Sequence, residues 1–154
     1  MTLSIDEITS TNLVALGLPA PDRWAAIDAM ADLLQADGRL GDRDAFVKTV
    51  REREEHGPTG MEMGIAIPHG KSAGVAQTSV VFARVDGGVD FGAPDGTPAD
   101  LLFLIAAPDA ADDDHLTVLS RLARRLVHEE FRDALRNATS AEDAIAIIRR
   151  EVTI

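Results

Sequence analysis

One stretch of the chain, ADLLFLIAAP at residues 99–108, is almost continuously apolar and carries a single charge, at Asp100. A strand with one face in water alternates apolar and polar residues, whereas a strand covered on both faces is apolar throughout. The stretch therefore predicts a strand in the interior of a sheet. A fold built around it needs a packing layer on each side of that sheet.

Two further apolar stretches predict neighbouring strands. Residues 65–67 form a short buried strand that ends before Pro68. The segment TSVVFARVDGGVDF, residues 78–91, predicts a strand, a turn at Asp86-Gly87-Gly88 and a short return strand. With residues 99–108, these segments form the interior of the sheet.

Helices are predicted both before and after these strands along the chain. A short extended start precedes the first of them. Apolar spacing and helix-end residues predict helices within residues 21–38, 42–57, 112–128, 129–137 and 141–152. Two helices, mixed strands and three more helices predict an α/β fold, with α+β as the alternative: a mixed, mainly buried sheet flanked by helices on both faces. The length of 154 residues favours one domain over residues 1–154.

The charge balance argues against nucleic acid and membrane surfaces as partners. The chain has 26 acidic and 15 basic residues and a formal charge of -11, so it would be repelled by phosphate backbones and anionic lipids. A basic protein partner fits better. The sequence has no cysteine, no stretch typical of a signal peptide and no apolar window of about 18 residues. We therefore expect a cytoplasmic protein that does not insert into the membrane.

The segment GIAIPHGK, residues 64–71, places a titratable side chain at the end of a predicted strand. Pro68 has no amide hydrogen to donate, so strand pairing should weaken there and leave His69 at the mouth of the strand. Gly70 has no side chain, which would let another backbone or a ligand approach the imidazole closely. These features suggest an accessible histidine.

Of the other three histidines, His115 has the most informative context. It lies in the first turn of a predicted helix and shares its inner face with Leu119, Leu122 and Leu126, at an end of the helix that favours anions. Taken alone, it is better interpreted as a half-buried histidine bonded to a nearby carbonyl. The remaining two, His56 and His128, are interpreted as surface or helix-end residues.

Three kinds of site do not fit the residue spacing. A metal centre is not expected, because neither His69 nor His115 has a second His or Cys at close ligand spacing. The Gly-Lys-Ser at residues 70–72 resembles the end of a nucleotide-binding P-loop, but the pattern requires glycine where Ile65 stands. A serine triad lacks a Gly-x-Ser-x-Gly nucleophile motif. No cofactor is expected.

Two separated segments resemble a known family. The segment REREEHGPTGMEMGIAIPHGK, residues 51–71, contains an Arg-Glu pair followed by Thr-Gly-x-x-x-Gly-Ile-Ala-Ile-Pro-His-Gly. It is similar to the active-site segment of the fructose/mannitol-type IIA components of the bacterial phosphoenolpyruvate-dependent sugar phosphotransferase system. The later segment DDDHLTVLSRLARRL, residues 112–126, resembles the family segment in which a second active-site histidine begins a helix.

The resemblance implies a phosphocarrier, hence a phosphotransferase. His69 occupies the position of the phosphorylated histidine, His115 that of the second histidine, and Arg53 that of the active-site arginine. The family accepts a phosphoryl group from phosphohistidine on the carrier protein HPr and passes it to a cysteine of a IIB domain, which links it to the membrane component IIC. One departure is Glu62, which stands where the fructose-type pattern usually has glycine and would add negative charge beside the site.

Two alternatives remain open at the level of sequence. The nitrogen-related branch of the same family would use the phosphorylation of His69 to switch its binding to other proteins instead of feeding sugar uptake. A non-catalytic binding domain would use its histidines only as structural hydrogen-bonding groups.

Overall fold

The structure is a computed structural model, which describes residues 4–110 and 113–153. Its centre is a mixed six-stranded sheet built around the predicted apolar strand. The strands are β1 (Val14–Ala15), β2 (Gly60–Met61), β3 (Ile65–Ala66), β4 (His69–Ser72), β5 (Ser79–Val89) and β6 (Ala99–Pro108).

Strand β6 has neighbours along both edges. On one edge β5 runs antiparallel to it, and β1 lies parallel to β5 beyond. On the other edge β3 and β4 follow one another, both parallel to β6, and β2 is antiparallel to β3. The side chains of β6 are buried along nearly its whole length, which confirms the prediction of an interior strand.

Helices cover both faces of the sheet. They are α1 (Ile5–Ile8), α2 (Arg23–Ala36), α3 (Arg43–His56), α4 (Asp114–Leu126), α5 (Glu129–Asn137) and α6 (Ala141–Glu151). Alternate residues of β6 point to opposite faces. Leu102, Leu104 and Ala106 pack in one apolar core with α2 and α3, whereas Leu101, Phe103 and Ile105 pack in a second core with α4, α5 and α6. The predicted α/β arrangement with helices on both faces is confirmed.

Two local predictions are wrong. Residues 79–89 form one continuous strand with a shift of register between Arg84 and Val89, not a strand and a return strand. Gly87 and Gly88 have φ angles of 80° and 77°, so this left-handed backbone makes an irregularity inside β5 instead of reversing the chain. The start of the chain is not extended throughout, because α1 forms and buries both of its isoleucines.

Within residues 4–110 and 113–153, none of the helices combines the length and the apolar character needed to cross a bilayer.

Candidate functional site

The strand pairing breaks around Pro68 and resumes at His69. Strand β3 ends at Ala66 and β4 begins at His69, so the expected weakening at the proline is confirmed. The Pro68 carbonyl still accepts a hydrogen bond from the Ile105 N–H at 3.0 Å, which keeps the segment against β6. The expectation that His69 ends a strand is wrong: it is the first residue of β4.

Register sets the direction of the His69 side chain. His69 lies opposite Ile105 in the parallel pairing of β4 with β6. Ile105 belongs to the core beneath α4, α5 and α6, and residues paired in register point to the same face. The imidazole therefore projects toward the face of the sheet that carries α4.

A main-chain carbonyl holds the His69 ring. Nδ1 lies 3.0 Å from the carbonyl oxygen of Ile67. A carbonyl oxygen only accepts hydrogen bonds, so this contact assigns the hydrogen of the neutral ring to Nδ1 and leaves a lone pair on Nε2. The half-buried ring thus has one nitrogen engaged by the protein and the other able to act as a nucleophile.

His115, at the start of α4, lies close to His69. It is the second residue of that helix and is half-buried, and Leu122 and Leu126 below it are buried as predicted. The centroids of the His69 and His115 rings lie 6.4 Å apart, with their planes tilted by 32°. Two histidines that are distant in the sequence therefore face one another at the start of α4.

The aspartates at the start of this helix are only partly described. Asp113 is the N-cap residue and is exposed, while Asp112 lies outside the described residues. Leu116 is 49% exposed and Val127, just after the helix, is 62% exposed, so neither belongs to the buried face of α4.

Arg53 lies in the last turn of α3 with an exposed side chain. Its Nη1 donates a hydrogen bond to the Gly57 carbonyl at 2.8 Å. Two residues further on, the Thr59 carbonyl accepts a hydrogen bond from the Ile67 N–H at 3.3 Å. The turn that holds the guanidinium is thus bonded to the segment that holds the His69 ring. Arg53 thus donates to the Gly57 carbonyl, and the His69 ring to the Ile67 carbonyl.

Glu54 is the residue at this site that sequence reasoning did not single out. Its side chain has no exposed area, and its two oxygens accept hydrogen bonds from the Thr59 N–H at 3.1 Å and the Thr59 hydroxyl at 2.6 Å. The sequence carried a usable indication, because Glu54 follows Val50 by one helical turn and so falls on the apolar face of α3. A carboxylate at such a position requires partners.

Gly70 serves packing instead of ligand access. A Cβ atom at this position would lie 2.8 Å from Val50 Cγ2 and 3.4 Å from Phe46 Cε1 and Thr49 Cγ2. The absent side chain therefore lets α3 lie close against β4. The expectation that Gly70 opens space beside the ring for a ligand is wrong, because alternation along the strand points the two residues to opposite faces.

The charge of Glu62 is not beside the histidines, contrary to the expectation. An apolar groove separates the β2–β3 turn from the C-terminal part of α4, and Glu62 lines it together with Leu126 and Val127. A helical rise of about 1.5 Å per residue places Leu126 about 16 Å from His115 along the axis of α4. The charge of Glu62 therefore lies near the C-terminal end of α4, whereas His115 lies at its N-terminal end.

The remaining candidate ligands stay separate. His56 and His128 are exposed at helix ends, as predicted. Across residues 4–110 and 113–153, no group of three His, Cys, Asp or Glu side chains is arranged to hold a metal ion. The facing imidazoles, with the lone pair on His69 Nε2, form a group suited to nucleophilic chemistry.

A mixed α/β sheet with two facing histidines agrees with the phosphoryl-transfer family that the two sequence segments resemble. Residues 7–151 match the sequence model of a family described as "Phosphoenolpyruvate-dependent sugar phosphotransferase system, EIIA 2". The chain belongs to this family, so it is a IIA component of the phosphotransferase system.

Individual relatives agree with this assignment. The chain is 43% identical over 138 residues to the "PTS system fructose-specific EIIA component" of Haloferax volcanii, covering 90% of each protein. The crystal structure of the nitrogen regulatory protein IIA-Ntr from Neisseria meningitidis superposes with a TM-score of 0.85 and 34% identity, over 94% of this chain and 98% of that one.

A third comparison includes a partner protein. Mannitol IIA of Escherichia coli, solved in complex with phosphorylated mannitol IIB, matches with a TM-score of 0.78 and 26% identity, over 91% of this chain and 96% of that one.

Proposed function

We propose that this chain carries a phosphoryl group on His69 in fructose-type sugar uptake. It accepts the group from the phosphohistidine of an HPr-like carrier and passes it to a cysteine of a IIB component. The fructose-specific relative from Haloferax volcanii supports the substrate branch, and the Escherichia coli complex of IIA with phosphorylated IIB supports the acceptor. In this proposal residues 1–154 act as one IIA domain in the cytoplasm.

The contact between His69 Nδ1 and the Ile67 carbonyl carries the proposal. With Nδ1 protonated, the lone pair on Nε2 attacks the phosphorus of the donor, a new N–P bond forms and the donor's N–P bond breaks, and the electron pair returns to the donor imidazole. In the second transfer a IIB thiolate attacks the same phosphorus, and the Nε2–P bond breaks. The reaction needs no oxidant or reductant and regenerates neutral His69.

His115 and Arg53 would stabilise the phosphoryl oxygens. Phosphoryl transfer depends mainly on in-line positioning and on donors around the equatorial oxygens. The His115 ring faces His69 and can donate an N–H to an oxygen of the bound group. The start of α4 adds about 0.3–1 kcal/mol from the helix dipole, and each charge-assisted hydrogen bond from Arg53 contributes about 1.5–3 kcal/mol.

Phosphorylation in a reconstituted system tests the nucleophile. Incubation with phosphoenolpyruvate, Enzyme I and HPr should give one acid-labile phosphohistidine per chain, and His69→Gln should abolish it. His128→Gln is the matched control: this residue is exposed at the start of α5, and its replacement should leave labelling unchanged. Labelling that persists in His69→Gln would exclude His69 as the nucleophile.

The nitrogen-related branch supplies a second candidate, favoured by the similarity to IIA-Ntr of Neisseria meningitidis. In that case His69 is phosphorylated in the same way, but the phosphoryl group regulates binding to another protein. Transfer to the cognate IIB and sugar-dependent turnover with IIB and IIC separate the two candidates. An absence of labelling in the folded wild-type protein would instead favour a non-catalytic binding domain.

A further inference from the structure

The buried carboxylate of Glu54 has two partners, Arg23 and Thr59. Arg23 Nη1 approaches Glu54 Oε1 at 3.4 Å. Thr59 donates its N–H to Oε1 and its hydroxyl to Oε2. A fully buried carboxylate is costly unless it is paired and hydrogen-bonded, so these contacts fix Glu54 and Thr59 relative to one another.

Thr59 transmits this constraint to the nucleophile. Its carbonyl accepts the Ile67 N–H at 3.3 Å, and the Ile67 carbonyl accepts the N–H of His69 Nδ1 at 3.0 Å. A continuous path of hydrogen bonds therefore runs from the Glu54 carboxylate through Thr59 and Ile67 to the imidazole. Because the bond at Nδ1 fixes the tautomer and the ring orientation, both depend on where Thr59 is held.

The same turn fixes the guanidinium of Arg53. The Gly57 carbonyl accepts the bond from Arg53 Nη1 at 2.8 Å, and the Gly57 N–H donates to the Glu54 carbonyl at 3.3 Å. Gly57 is only two residues before Thr59, so a shift of Thr59 moves the acceptor that orients Arg53. One buried side chain thus sets the positions of two groups that would act on the phosphoryl group.

We propose that Glu54 is a positioning residue for phosphoryl transfer: through Thr59 it fixes the tautomer of His69 and the location of Arg53 without touching the phosphoryl group. The inference rests on the proposed function of His69 and Arg53. It differs from a purely structural role, because loss of the contact should alter the His69 ring and the transfer step while the protein remains folded.

Three single variants test the charge of Glu54 and the hydroxyl of Thr59 separately. Glu54→Gln keeps the shape but turns an NH2 group toward donors and removes the charge opposite Arg23. Thr59→Val keeps the shape and deletes the hydroxyl, whereas Thr59→Ser retains it. We expect kcat for transfer from phosphorylated HPr to fall about 10- to 100-fold in the first two, with KM for HPr within about twofold of wild type and Thr59→Ser close to wild type in both.

A spectroscopic readout tests the positioning without any turnover. In 15N NMR spectra of the full chain, the Nδ1–H tautomer of neutral His69 should dominate in wild type and Thr59→Ser, and its share should fall in Glu54→Gln and Thr59→Val. Folded variants with wild-type tautomer populations and wild-type kcat would overturn the inference. If the wild-type protein is not phosphorylated on His69, the proposed function fails. If the wild type is phosphorylated but the variants keep its tautomer populations and kcat, only the role of Glu54 is removed.

Discussion

His69 and His115 face one another, but the segments that carry them are held by different means. His69 begins a strand paired with the central strand β6. The Ile67 carbonyl accepts a hydrogen bond from its ring, and the carbonyl of Pro68, the residue before it, accepts the Ile105 N–H. His115 lies at the start of a helix whose N-cap residue, Asp113, makes no side-chain capping bond. That helix is anchored at its other end, where Arg132 Nη1 donates to the Leu126 carbonyl at 2.7 Å.

The difference fits the two proposed tasks, nucleophile for His69 and hydrogen-bond donor for His115. A nucleophile must keep one ring nitrogen unprotonated and aligned, so a rigid main-chain contact suits it. A group that donates to phosphoryl oxygens must serve the ground state and two transfer steps with two different partners. A helix start brings the His115 ring and the positive end of the helix dipole to the site together.

The largest effect on phosphoryl transfer is expected from replacing His115, the histidine carried by α4. His115→Ala should lower the rate of phosphoryl transfer in both directions by about 100- to 1,000-fold, the range found when one oxyanion donor is removed from an active site. The free energy of unfolding should change little, because the ring is half-buried at a helix start and packs less than the leucines below it. Single-turnover transfer from HPr and to IIB, together with urea denaturation, measures both quantities. Unchanged rates in the two directions would remove His115 from the mechanism.

An effect on stability is expected from a change in β4, the strand that carries His69. Gly70→Ala places a Cβ atom 2.8 Å from Val50 Cγ2, and this β-branched side chain cannot rotate away easily. We expect a loss of about 1–3 kcal/mol in the free energy of unfolding, since overpacking forces α3 away from β4.

Gly17→Ala is the matched control for this change. Nothing lies within 4 Å of a Cβ atom at Gly17, so this variant should be as stable as wild type or slightly more so. If both alanine variants unfold at the same denaturant concentration, close contact between α3 and β4 does not hold the strand of His69.

The sequence was sufficient where local pattern and tertiary packing agree. Residues 99–108 are apolar enough to require burial on both faces, and the structure buries them so. Helices α2 and α3 begin after Asp22 and Asp42, whose side chains accept the N–H groups of Ala25 and Ala45. Such caps and periodicities act over a few residues and can be recognised from sequence alone.

Features that depend on distant partners were not recoverable in this way. Gly87 and Gly88 suit a hairpin turn as well as a strand irregularity, and the choice is made by Val89 pairing with Ala99. The facing of His69 and His115 depends on the register of β4 with β6, which no local pattern encodes. Spacing alone left His69 as an accessible histidine and His115 as a separate, half-buried one, and the family resemblance supplied the expectation that they converge.

The smallest effect concerns the anchoring of α4 at its far end. The hydrogen bond from Arg125 Nη2 to Glu151 Oε1, 2.8 Å long, lowers the pKa of Glu151 below its ordinary value, and a second bond from Arg150 adds to this. A lowered pKa in the folded state means that the carboxylate stabilises the fold above the unfolded pKa, and that this contribution is lost as pH falls through the folded value. Glu151→Gln should therefore melt slightly below wild type at pH 7, less so than Gly70→Ala, because the pair is partly exposed and screened.

Thermal melts of wild type and Glu151→Gln across pH 7 to pH 3 measure this contribution. The gap between the two curves should close as the pH falls, because the wild-type carboxyl then becomes protonated and as neutral as the amide. His115 lies at the opposite end of α4, so phosphoryl transfer at pH 7 should be nearly unchanged in this variant. A fall in transfer as large as that of His115→Ala would mean that the far anchor of α4 also controls its histidine, and the contrast between the two supports would no longer hold.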